Sequence, residues 1–553
     1  MNPGTAQHMG LRRLAIAVGV AGFTLVLLGL GWNALAAGGW TVCKALILIC
    51  LAANAPWLGL TAATALAGLG VRLLAPDPLA AVLPAMRHVS PYAPIATRTV
   101  IAMCVRFENM QAILPPLERL LRDLRSVQQP EHFTLAILSD TPEGPAAAAE
   151  AAAIMHLAAR YPQGTVCYRR RVGNVGFKAG NVMQFLDHHT EAFDFMLLLD
   201  ADSVMSANAV RRLVRVMQAE SRLAILQPTI AGFGADTAFV RIFGFGHRHC
   251  MRIWATGQAW WQGPEGTYWG HNALLRIASF RKHCRLPLLP NGGAILSHDL
   301  VEAARLHAAG WAVRVLPDDA GSAEGHPPDL LAMLDRDVRW ATGNLQYRHL
   351  LRRRDLGRIG RLQMLQAILH YALTPLWFAP LPLAALNVLT GRARNTSHSA
   401  LLMLLAFGFV LMYLPKFAGY VEAMCRPAHD RRRDLLIRMA REILFAILLD
   451  SITALDRSVA VLRLAAGRRV GWAPQRREAG SIPWSFGLRR FGLHMLVGLT
   501  LMLAFAQAGW FAVAAALPTI LGLLLAVPFA VLTARQDVVT PVVPPLVAAT
   551  RRL

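Results

Sequence analysis

Long apolar runs lie at both ends of the chain and enclose a more polar middle. Leu14–Ala36 is the first run, and Ala45–Ala75 is the second, which carries no charge until Arg72. Each exceeds the roughly 20 residues that an α-helix needs to cross a bilayer. Because the second run follows the first almost at once, we interpret the pair as a two-helix membrane anchor within residues 1–86, and not as a signal peptide.

Further apolar runs follow the polar middle, in a predicted membrane block that spans residues 363–535. They are Leu365–Leu389, Ala400–Tyr420, Phe491–Ala506 and Phe511–Leu532. The last two are close enough in sequence to form a tight hairpin. The segment Glu442–Leu464 is also apolar, but several charged residues interrupt it. Since charges inside a bilayer are costly, we expect an interfacial helix there, six spans in all, and a short tail at 536–553.

Between residues 87 and 362, short apolar runs alternate with helical stretches. The runs are Thr99–Arg106, Phe133–Ser139, Val166–Arg170 and Phe193–Leu199. Runs of this length separated by helices are typical of an α/β sheet with parallel strands. The pattern therefore predicts a water-soluble, Rossmann-like nucleotide-binding domain of about 270 residues, inserted between transmembrane helices.

Polar side chains follow the predicted strands at their carboxyl ends. Glu108 follows the first strand, Asp140 the second, Arg171 the third, and Asp200 and Asp202 the fourth. In open α/β sheets ligands bind at this edge. The sequence therefore predicts a binding site there.

The pair Asp200 and Asp202 directly follows a buried strand. Residues i and i+2 at a strand end point the same way, so both carboxylates can converge on one hard divalent cation, Mg²⁺ or Mn²⁺. Such a cation would neutralise a diphosphate. The alternative is an ordinary polar turn that closes a core strand.

A glycine-rich loop with one lysine, Gly173–Asn181, leads from the third strand into a helix. The loop fits neither the Walker nor the dinucleotide fingerprint. Lys178 could add positive charge near a nucleotide, and an ordinary strand-to-helix turn is the alternative.

Two more motifs occur in the second half of the domain. In Gly292–Leu300, Ser297 is predicted to cap a helix whose first turn contains Asp299, where the helix dipole stabilises a carboxylate. A helix-end role is therefore one explanation of Asp299. Arg336 and Arg339 share a helix face and could meet a phosphate or a carboxylate, or form a solvated basic face at a membrane.

Composition and charge agree with a membrane protein. The chain has 553 residues, of which 55% are hydrophobic, with a mean hydropathy of +0.39, too apolar for a soluble protein of this size. The net charge of +23 is carried mainly by arginines in short segments next to apolar runs, as in cytoplasmic loops. No nucleic-acid partner is expected, because no nucleic-acid-binding motif accompanies the charge. The scattered cysteines are expected to be reduced, and the neighbours His247, His249 and Cys250 match no common zinc spacing.

In order, Asp140, Lys178, the Asp-Ala-Asp turn, the His-Asp pair and Arg-x-x-Arg-Trp340 resemble the processive membrane-bound family 2 glycosyltransferases, which include cellulose and hyaluronan synthases. More narrowly, Tyr168–Asn181, Gly293–Asp299 and Arg336–Leu345 look like the glucosyltransferases of osmoregulated periplasmic glucan synthesis. The resemblance covers nearly the whole chain. It implies a cytosolic GT-A domain held between membrane segments.

The resemblance also implies a role for each site residue. Asp140 would face the nucleobase and ribose of UDP-glucose, with Glu108 and Lys178 nearby, and Asp200 and Asp202 would hold the nucleotide and its cation. Asp299 would be the general base of an inverting transfer to a growing glucan. The remaining motif residues would shape the diphosphate side and the acceptor platform. These residues are Arg336, Arg339 and Trp340.

Two departures separate the chain from the broader family. Arg336 stands where that family usually has Gln, and Ser-His-Asp299 stands where it has Thr-Glu-Asp. Both agree with the narrower group and argue against a cellulose synthase. After Leu532 we expect no PilZ-like domain, and therefore no direct control by cyclic-di-GMP.

The sequence thus predicts a multi-pass enzyme of the bacterial inner membrane, with its catalytic domain in the cytoplasm. It would make a β-glucan, with a β-1,2-linked backbone as one possibility, and its partners would include the lipid bilayer and periplasmic glucan-processing proteins. The alternatives are a related synthase of another β-linked polysaccharide or a glycolipid, and a non-catalytic transporter or scaffold that senses nucleotide.

Overall fold

The computed structural model describes residues 3–126, 130–234, 236–392, 396–426, 431–468 and 480–536. Two predictions fall beyond these ranges. Apart from Gln536, the predicted tail 536–553 lies outside the described residues, and so do positions 469–479 of the basic loop that precedes the run Phe491–Ala506.

Two long helices open the chain, α1 (Pro3–Ala36) and α2 (Val42–Leu74), and they pack against each other. Gln7–Ala36 and Val42–Leu74 are both long and apolar enough to cross a membrane. The predicted pair of spanning-length helices is therefore present. At its polar end, Arg13 of α1 donates to the backbone carbonyl of Gln262 at 3.2 Å and forms an ion pair with Glu265, which joins the anchor to the following domain.

The central domain contains ten strands among its described residues. They are β1 (Thr99–Val105), β2 (Phe133–Ser139), β3 (Val166–Arg170), β4 (Phe195–Leu199), β5 (Ser203–Met205), β6 (Leu223–Pro228), β7 (Ala231–Phe233), β8 (Ala273–Arg276), β9 (Ala312–Leu316) and β10 (Ser322–Gly325). The helices that accompany them are α3 (Pro78–Val82), α4 (Met110–Arg125), α5 (Pro145–Ala158), α6 (Phe177–His189), α7 (Ala207–Ala219), α8 (Ala238–Gln262), α9 (Ile277–His283), α10 (Asp299–Ala308) and α11 (Leu330–Leu345).

Seven of the strands form one mixed sheet in the order β3-β2-β1-β4-β8-β6-β9. The pairs β1–β2, β1–β4 and β2–β3 are parallel, so the parallel arrangement predicted for these four strands is confirmed. Strand β8 runs antiparallel between β4 and β6. Apolar side chains cover both faces, because successive residues of buried strands such as β1 point to opposite sides.

A second, three-stranded sheet has the order β5-β10-β7 and lies beyond the end of β4. Strand β5 pairs antiparallel with β10, which places Glu324 opposite Ser203. The chain therefore passes from β4 through the Asp-Ala-Asp turn directly into this small sheet.

The C-terminal part is helical in the described residues. Its helices are α12 (Arg358–Ala372), α13 (Thr374–Phe378), α14 (Pro380–Leu389), α15 (His398–Cys425), α16 (Arg432–Ala465), α17 (Trp484–Ala506), α18 (Trp510–Leu524) and α19 (Ala526–Thr533). Helices α15 and α17 are each long and apolar enough to cross a membrane by themselves. With α1 and α2, they fit a membrane protein.

Two of the predicted spans are broken helices. The run Leu365–Leu389 bends by 47° where α12 ends, and the run Phe511–Leu532 bends by 52° between α18 and α19. Pro375 and Pro528 lie just after the two breaks. Because proline has no N–H to donate to the preceding turn, an uninterrupted helix is disfavoured at both places.

Helix α16 is longer than the predicted interfacial segment Glu442–Leu464. It extends over 34 residues and begins ten residues earlier, at Arg432. It is not among the described helices that are apolar enough to span a membrane. Its interfacial position remains a prediction.

Candidate active site

Asp200 and Asp202 lie on the turn that joins β4 to β5. The turn is closed by two local hydrogen bonds, from the Ser203 N–H to the Asp200 carbonyl at 2.9 Å and from the Asp200 N–H to the Ser203 hydroxyl at 3.1 Å. Strand β10 holds the other side, because the Gly325 N–H donates to the Asp202 carbonyl at 3.2 Å. The Asp-Ala-Asp turn is thus fixed at the carboxyl end of the main sheet.

Lys178, in the first turn of α6, donates to the carboxylate of Asp200 and to the carbonyl of Gly270 at 2.8 Å. Burial alone would raise the pKa of Asp200, but the nearby ammonium group outweighs burial and holds that pKa below its usual value. From the sequence, Lys178 is predicted to lie near the nucleotide site. The geometry adds that it joins the acidic turn to the segment that precedes β8.

Asp140 follows β2 and is bound by Arg171 through two hydrogen bonds, one of them 3.0 Å long. Arg171 also donates to the carbonyls of Val175 and Phe177, at 2.9 and 2.8 Å. One arginine therefore holds the glycine-rich loop against Asp140. The loop needs Gly180, since a Cβ there would come within 2.0 Å of the Val175 carbonyl oxygen.

His271 and Glu324 form an ion pair beside the acidic turn, and neither residue was singled out from the sequence. The His271 ring lies 3.9 Å from the carboxylate of Asp200. Burial alone would lower the pKa of His271, but the carboxylates of Glu324 and Asp200 outweigh burial and raise it to about 9. Burial likewise opposes ionisation of Glu324, yet His271 brings its pKa down to about 2. These two residues meet because β4 pairs with β8, which begins just after His271, and β5, which follows β4, pairs with β10, which contains Glu324.

Asp299 is the first residue of α10, and it lies across Gly270 from the acidic turn. Gly270 has a φ of +86°, and a Cβ added there would lie 3.6 Å from the Asp299 Cβ. Tyr347 donates to the Asp299 carboxylate at 3.5 Å. The prediction that Ser297 caps this helix is wrong, because His298 directly precedes α10 and no side chain caps the N-terminus of the helix. The His298 ring instead pairs with Glu302, one turn further along.

Arg336 and Trp340 lie one turn apart on α11, and the guanidinium stacks over the indole ring at 4.6 Å from its centroid. Burial lowers the pKa of the Arg336 guanidinium, and the charges of Glu324, Asp337 and Asp202 oppose that shift without cancelling it. The Trp340 side chain is 48% exposed, an unusual degree for a large apolar ring. Arg339 is half-buried on the same helix, and Glu108 is half-buried in the turn between β1 and α4.

Backbone strain is concentrated around the same edge of the sheet. Among the described residues, the non-glycine residues with positive φ are Phe107, Phe177 and Asn272. Phe107 follows β1, Phe177 closes the glycine-rich loop, and Asn272 stands between His271 and β8. Such conformations are costly and persist where the surrounding structure imposes them. Here the Asn272 amide donates to the Ser322 hydroxyl at 3.0 Å and so is held by β10.

Asp200 and Asp202 are the candidate ligands for a divalent cation. Among the described residues, no group of three or more histidine, cysteine and carboxylate side chains is arranged to hold a metal ion. Two carboxylates nevertheless suit Mg²⁺ or Mn²⁺, since Mg²⁺ is usually held by one or two carboxylates while substrate phosphates and water complete its shell. The donor set therefore fits a cation that binds together with a diphosphate.

The remaining candidate ligands have packing roles. His247 lies against Phe243 and His326, with the two imidazole centroids 5.1 Å apart. Cys284 is buried, and its thiol donates to the carbonyl of Glu302. All seven cysteines are free, as expected for reduced thiols.

Comparison with known protein families matches two overlapping parts of the chain. Residues 101–284 match the family described as Glycosyl transferase family 2. Residues 195–411 match Glycosyl transferase family group 2. The matches include β1 to β4, the acidic turn, the His-Asp pair and the Arg336–Trp340 motif.

Among solved structures, the chain is similar to a mannosyltransferase from Pyrobaculum calidifontis, in complex with GDP-Man and Mn²⁺, at 15% identity and a TM-score of 0.40, with 69% of this chain and 99% of that chain covered. It is also similar to residues 1–349 of TarS from S. aureus, at 9% identity and a TM-score of 0.29, with 69% and 97% covered.

Curated relatives match over nearly the full length. Glucans biosynthesis glucosyltransferase H of Caulobacter vibrioides is 32% identical, over 96% of this chain and 83% of that protein. The proteins of the same name from Xylella fastidiosa and Xanthomonas oryzae pv. oryzae are 31% and 32% identical, over 96% and 95% of this chain and 86% and 84% of their own lengths. With its family 2 domain, its α/β sheet and its flanking apolar helices, the chain belongs to the glucans biosynthesis glucosyltransferases of glycosyl transferase family 2.

Proposed function

We propose that the protein transfers glucose from UDP-glucose to a growing β-glucan at the bacterial inner membrane, with inversion at the anomeric carbon. The relatives are named as glucosyltransferases of glucan biosynthesis, and this supports a sugar nucleotide as donor and a glucan as acceptor. The choice of UDP-glucose and of a β-linked product, including a β-1,2-linked backbone, is part of the proposal.

The proposal depends chiefly on the arrangement around Gly270. On one side its carbonyl accepts from Lys178, which also binds Asp200. On the other side the residue lies against Asp299. One residue without a side chain thus separates the proposed diphosphate-binding carboxylates from the proposed base. A sugar placed over Gly270 would have its leaving group and its acceptor on opposite sides, as an inverting displacement requires.

In the proposed reaction, Asp299 takes the proton from an acceptor hydroxyl as its oxygen attacks the anomeric carbon. The bond between that carbon and the diphosphate oxygen breaks, and UDP leaves. Asp200 and Asp202 would hold Mg²⁺ or Mn²⁺, which when bound neutralises charge on the diphosphate. Lys178 and His271 contribute positive charge beside the same carboxylates.

The remaining site residues would bind the two substrates. Asp140, held by Arg171, would face the nucleobase and ribose, with Glu108 beside it at the same edge of the sheet. Trp340 offers an exposed aromatic face on which a sugar ring of the acceptor can stack, while Arg336 and Arg339 would complete the diphosphate side. The stacking of Arg336 on Trp340 supports this assignment, since it links the two halves of the site.

For topology, we propose that the 87–362 domain faces the cytoplasm, between the anchor at 1–86 and the membrane block at 363–535. This topology has six spans, two of them bent. The partners of the protein would be the lipid bilayer and periplasmic glucan-processing proteins. The exposed arginines at the start of α16 support it, because cytoplasmic segments carry the excess of basic residues. Reporter fusions near Gly357 test the topology. A periplasmic signal there would contradict it, since cytosolic UDP-glucose could not reach the site.

Incorporation of radiolabelled glucose from UDP-glucose by purified membranes tests the reaction, and linkage analysis of the product tests the polymer. We expect a polymeric, acid-labile glucan that β-glucosidases degrade. A labelled glycolipid, or incorporation only from another sugar nucleotide, would favour the related-synthase alternative. Tight UDP binding without any incorporation would favour a nucleotide-sensing protein.

A further inference from the structure

Helix α11, which carries Arg336 and Trp340, lies along the C-terminal half of α16. Before the motif, Met333 and Leu334 share an apolar cluster with Leu449 of α16. After it, Ala341 shares a second apolar cluster with Val461. The proposed acceptor helix therefore rests on α16 on both sides of its functional residues.

Between these two apolar contacts, the helices are joined by an ion pair. Arg457 donates to both carboxylate oxygens of Asp337, and one of these hydrogen bonds is 3.0 Å long. Asp337 is only 6% exposed, and it directly follows Arg336 in the sequence. An arginine fork on a carboxylate fixes orientation as well as distance. Rotation of α11 about its axis is thereby opposed at the residue next to Arg336.

Helix α16 is in turn held by neighbouring helices. Glu442 accepts hydrogen bonds from Lys416 and Tyr420 of α15. Its carboxylate also occupies the space above Gly246 of α8, where a Cβ would come within 2.0 Å of the Glu442 oxygen.

Further along α16, two aspartates also form hydrogen bonds with neighbouring helices. Asp450 accepts from Tyr413 at 2.8 Å, and Asp456 accepts from Arg490 of α17 at 2.8 Å. Each of the three charged residues that interrupt the apolar pattern here therefore binds a different helix. These residues are Asp450, Asp456 and Arg457. A helix fixed in this way can serve as a rigid support.

We infer that Arg457 is a positioning residue for glucosyl transfer, which sets the rotation of α11 and so aims Trp340 at the acceptor and Arg336 at the diphosphate. The inference rests on the proposed function, because that proposal gives Trp340 its acceptor role and Arg336 its diphosphate role. Arg457 touches neither proposed substrate and acts through Asp337. It connects the helices of the membrane block to the geometry of the active site.

The inference predicts a separation of donor binding from polymerisation. In Arg457→Met the side-chain length is kept and the charge is lost, so α11 can rotate while the site around Asp140, Asp200 and Lys178 keeps its contacts. We expect the maximal rate of glucan synthesis to fall by roughly 10²-fold, the size of effect that a misplacement of about 1 Å can have. The affinity for UDP, measured by calorimetry on the full-length protein in detergent, should fall much less than the rate, by no more than about tenfold, because of the UDP-binding groups only those on α11 are displaced. Arg457→Lys keeps the charge but not the fork, and it should recover part of the rate.

Arg463→Met is the matched control, since Arg463 lies on the same helix and is exposed. It should polymerise at the parental rate. Asp337→Asn should reproduce the defect of Arg457→Met, and the double variant should be no worse than the worse single variant, because both remove the same contact.

Equal losses of UDP affinity and polymerisation in both Arg457→Met and Arg457→Lys would mean general destabilisation and would overturn the inference. A parental rate in Arg457→Met would do the same. If the parent protein itself makes no glucan from UDP-glucose, the proposed function fails, a result distinct from either of these.

Discussion

Arg171 and Asp140 bind each other at the carboxyl end of the sheet, and the same guanidinium closes the loop that precedes α6. Both side chains are about 7% exposed, so water screens the pair little. The nucleobase end of the proposed site thus depends on one arginine that reaches across from the third strand to the second.

Replacing Arg171 with Gln should weaken UDP binding by at least about tenfold, which corresponds to ~1.4 kcal/mol. Loss of the guanidinium frees the glycine-rich loop, which must then be ordered when the nucleotide binds. Calorimetric titration with UDP measures the effect. The neighbouring variant Arg170→Gln is the control, because Arg170 pairs with the exposed Glu143, at 3.8 Å. Equal affinities in the two variants would refute this role of Arg171.

Asp202→Ala, and likewise Asp200→Ala, should abolish glucosyl transfer and weaken UDP binding, because the diphosphate loses its bridging cation. Chelation of divalent cations should affect the parent protein in the same way, with recovery on addition of Mn²⁺ or Mg²⁺. Asp194→Asn is the control, since Asp194 lies at the opposite end of β4 and accepts from the Arg98 N–H at 2.9 Å. Full activity of Asp202→Ala in excess EDTA would make the turn purely structural.

Asp299→Asn should lower glucan synthesis by roughly 10²–10⁴-fold, as expected when a general base is lost. Because Asn keeps the size of the side chain and can still accept from Tyr347, UDP affinity and thermal stability should remain near those of the parent. Asn is about as good as Asp at a helix end, so a purely structural role predicts nearly unchanged synthesis. All three quantities can be measured on one detergent-solubilised sample.

His326 should make the protein sensitive to acid. Burial, with a smaller contribution from nearby His247, lowers the pKa of His326 to about 3, whereas an unfolded histidine titrates near 6.5. Below about pH 6.5 the unfolded chain therefore binds a proton that the folded chain does not bind. The free energy of unfolding then falls by up to ~1.4 kcal/mol per pH unit until about pH 3.

The variant His326→Leu should lose stability less steeply than the parent between pH 6.5 and pH 4.5, whatever its absolute stability. Thermal unfolding at several pH values in detergent gives the slopes. His156→Leu, at an exposed position of α5, should run parallel to the parent. If the His326→Leu profile also ran parallel to that of the parent, then His326 would not be the group that stays neutral in the folded protein.

The sequence by itself determined the features that depend on local pattern. Strands β1 and β2 begin where the apolar runs predicted, and β4 begins two residues later, because a strand buried on both faces must be almost wholly apolar. The edge strand β3 also begins where predicted, although its residues are only partly buried. The spacing of Asp200 and Asp202 is also a local feature, and the structure places both residues on the turn between β4 and β5. That the two carboxylates converge on one cation remains a prediction. Within the described part of the chain, the apolar runs similarly identified every helix or bent pair that is both long and apolar enough to span a membrane.

The tertiary structure decided which distant residues meet. His271 and Glu324 are 53 positions apart, and Asp337 and Arg457 are 120 apart. Periodicity reports whether a position is buried, but it does not report which partner a buried charge finds. For the first pair that choice depends on how β4 pairs with β8 and β5 with β10, and for the second pair it depends on how α11 lies on α16. Asp299 shows the same limit: its motif was visible in the sequence, but its place across Gly270 from Asp200 follows only from the packing of α10 against the sheet.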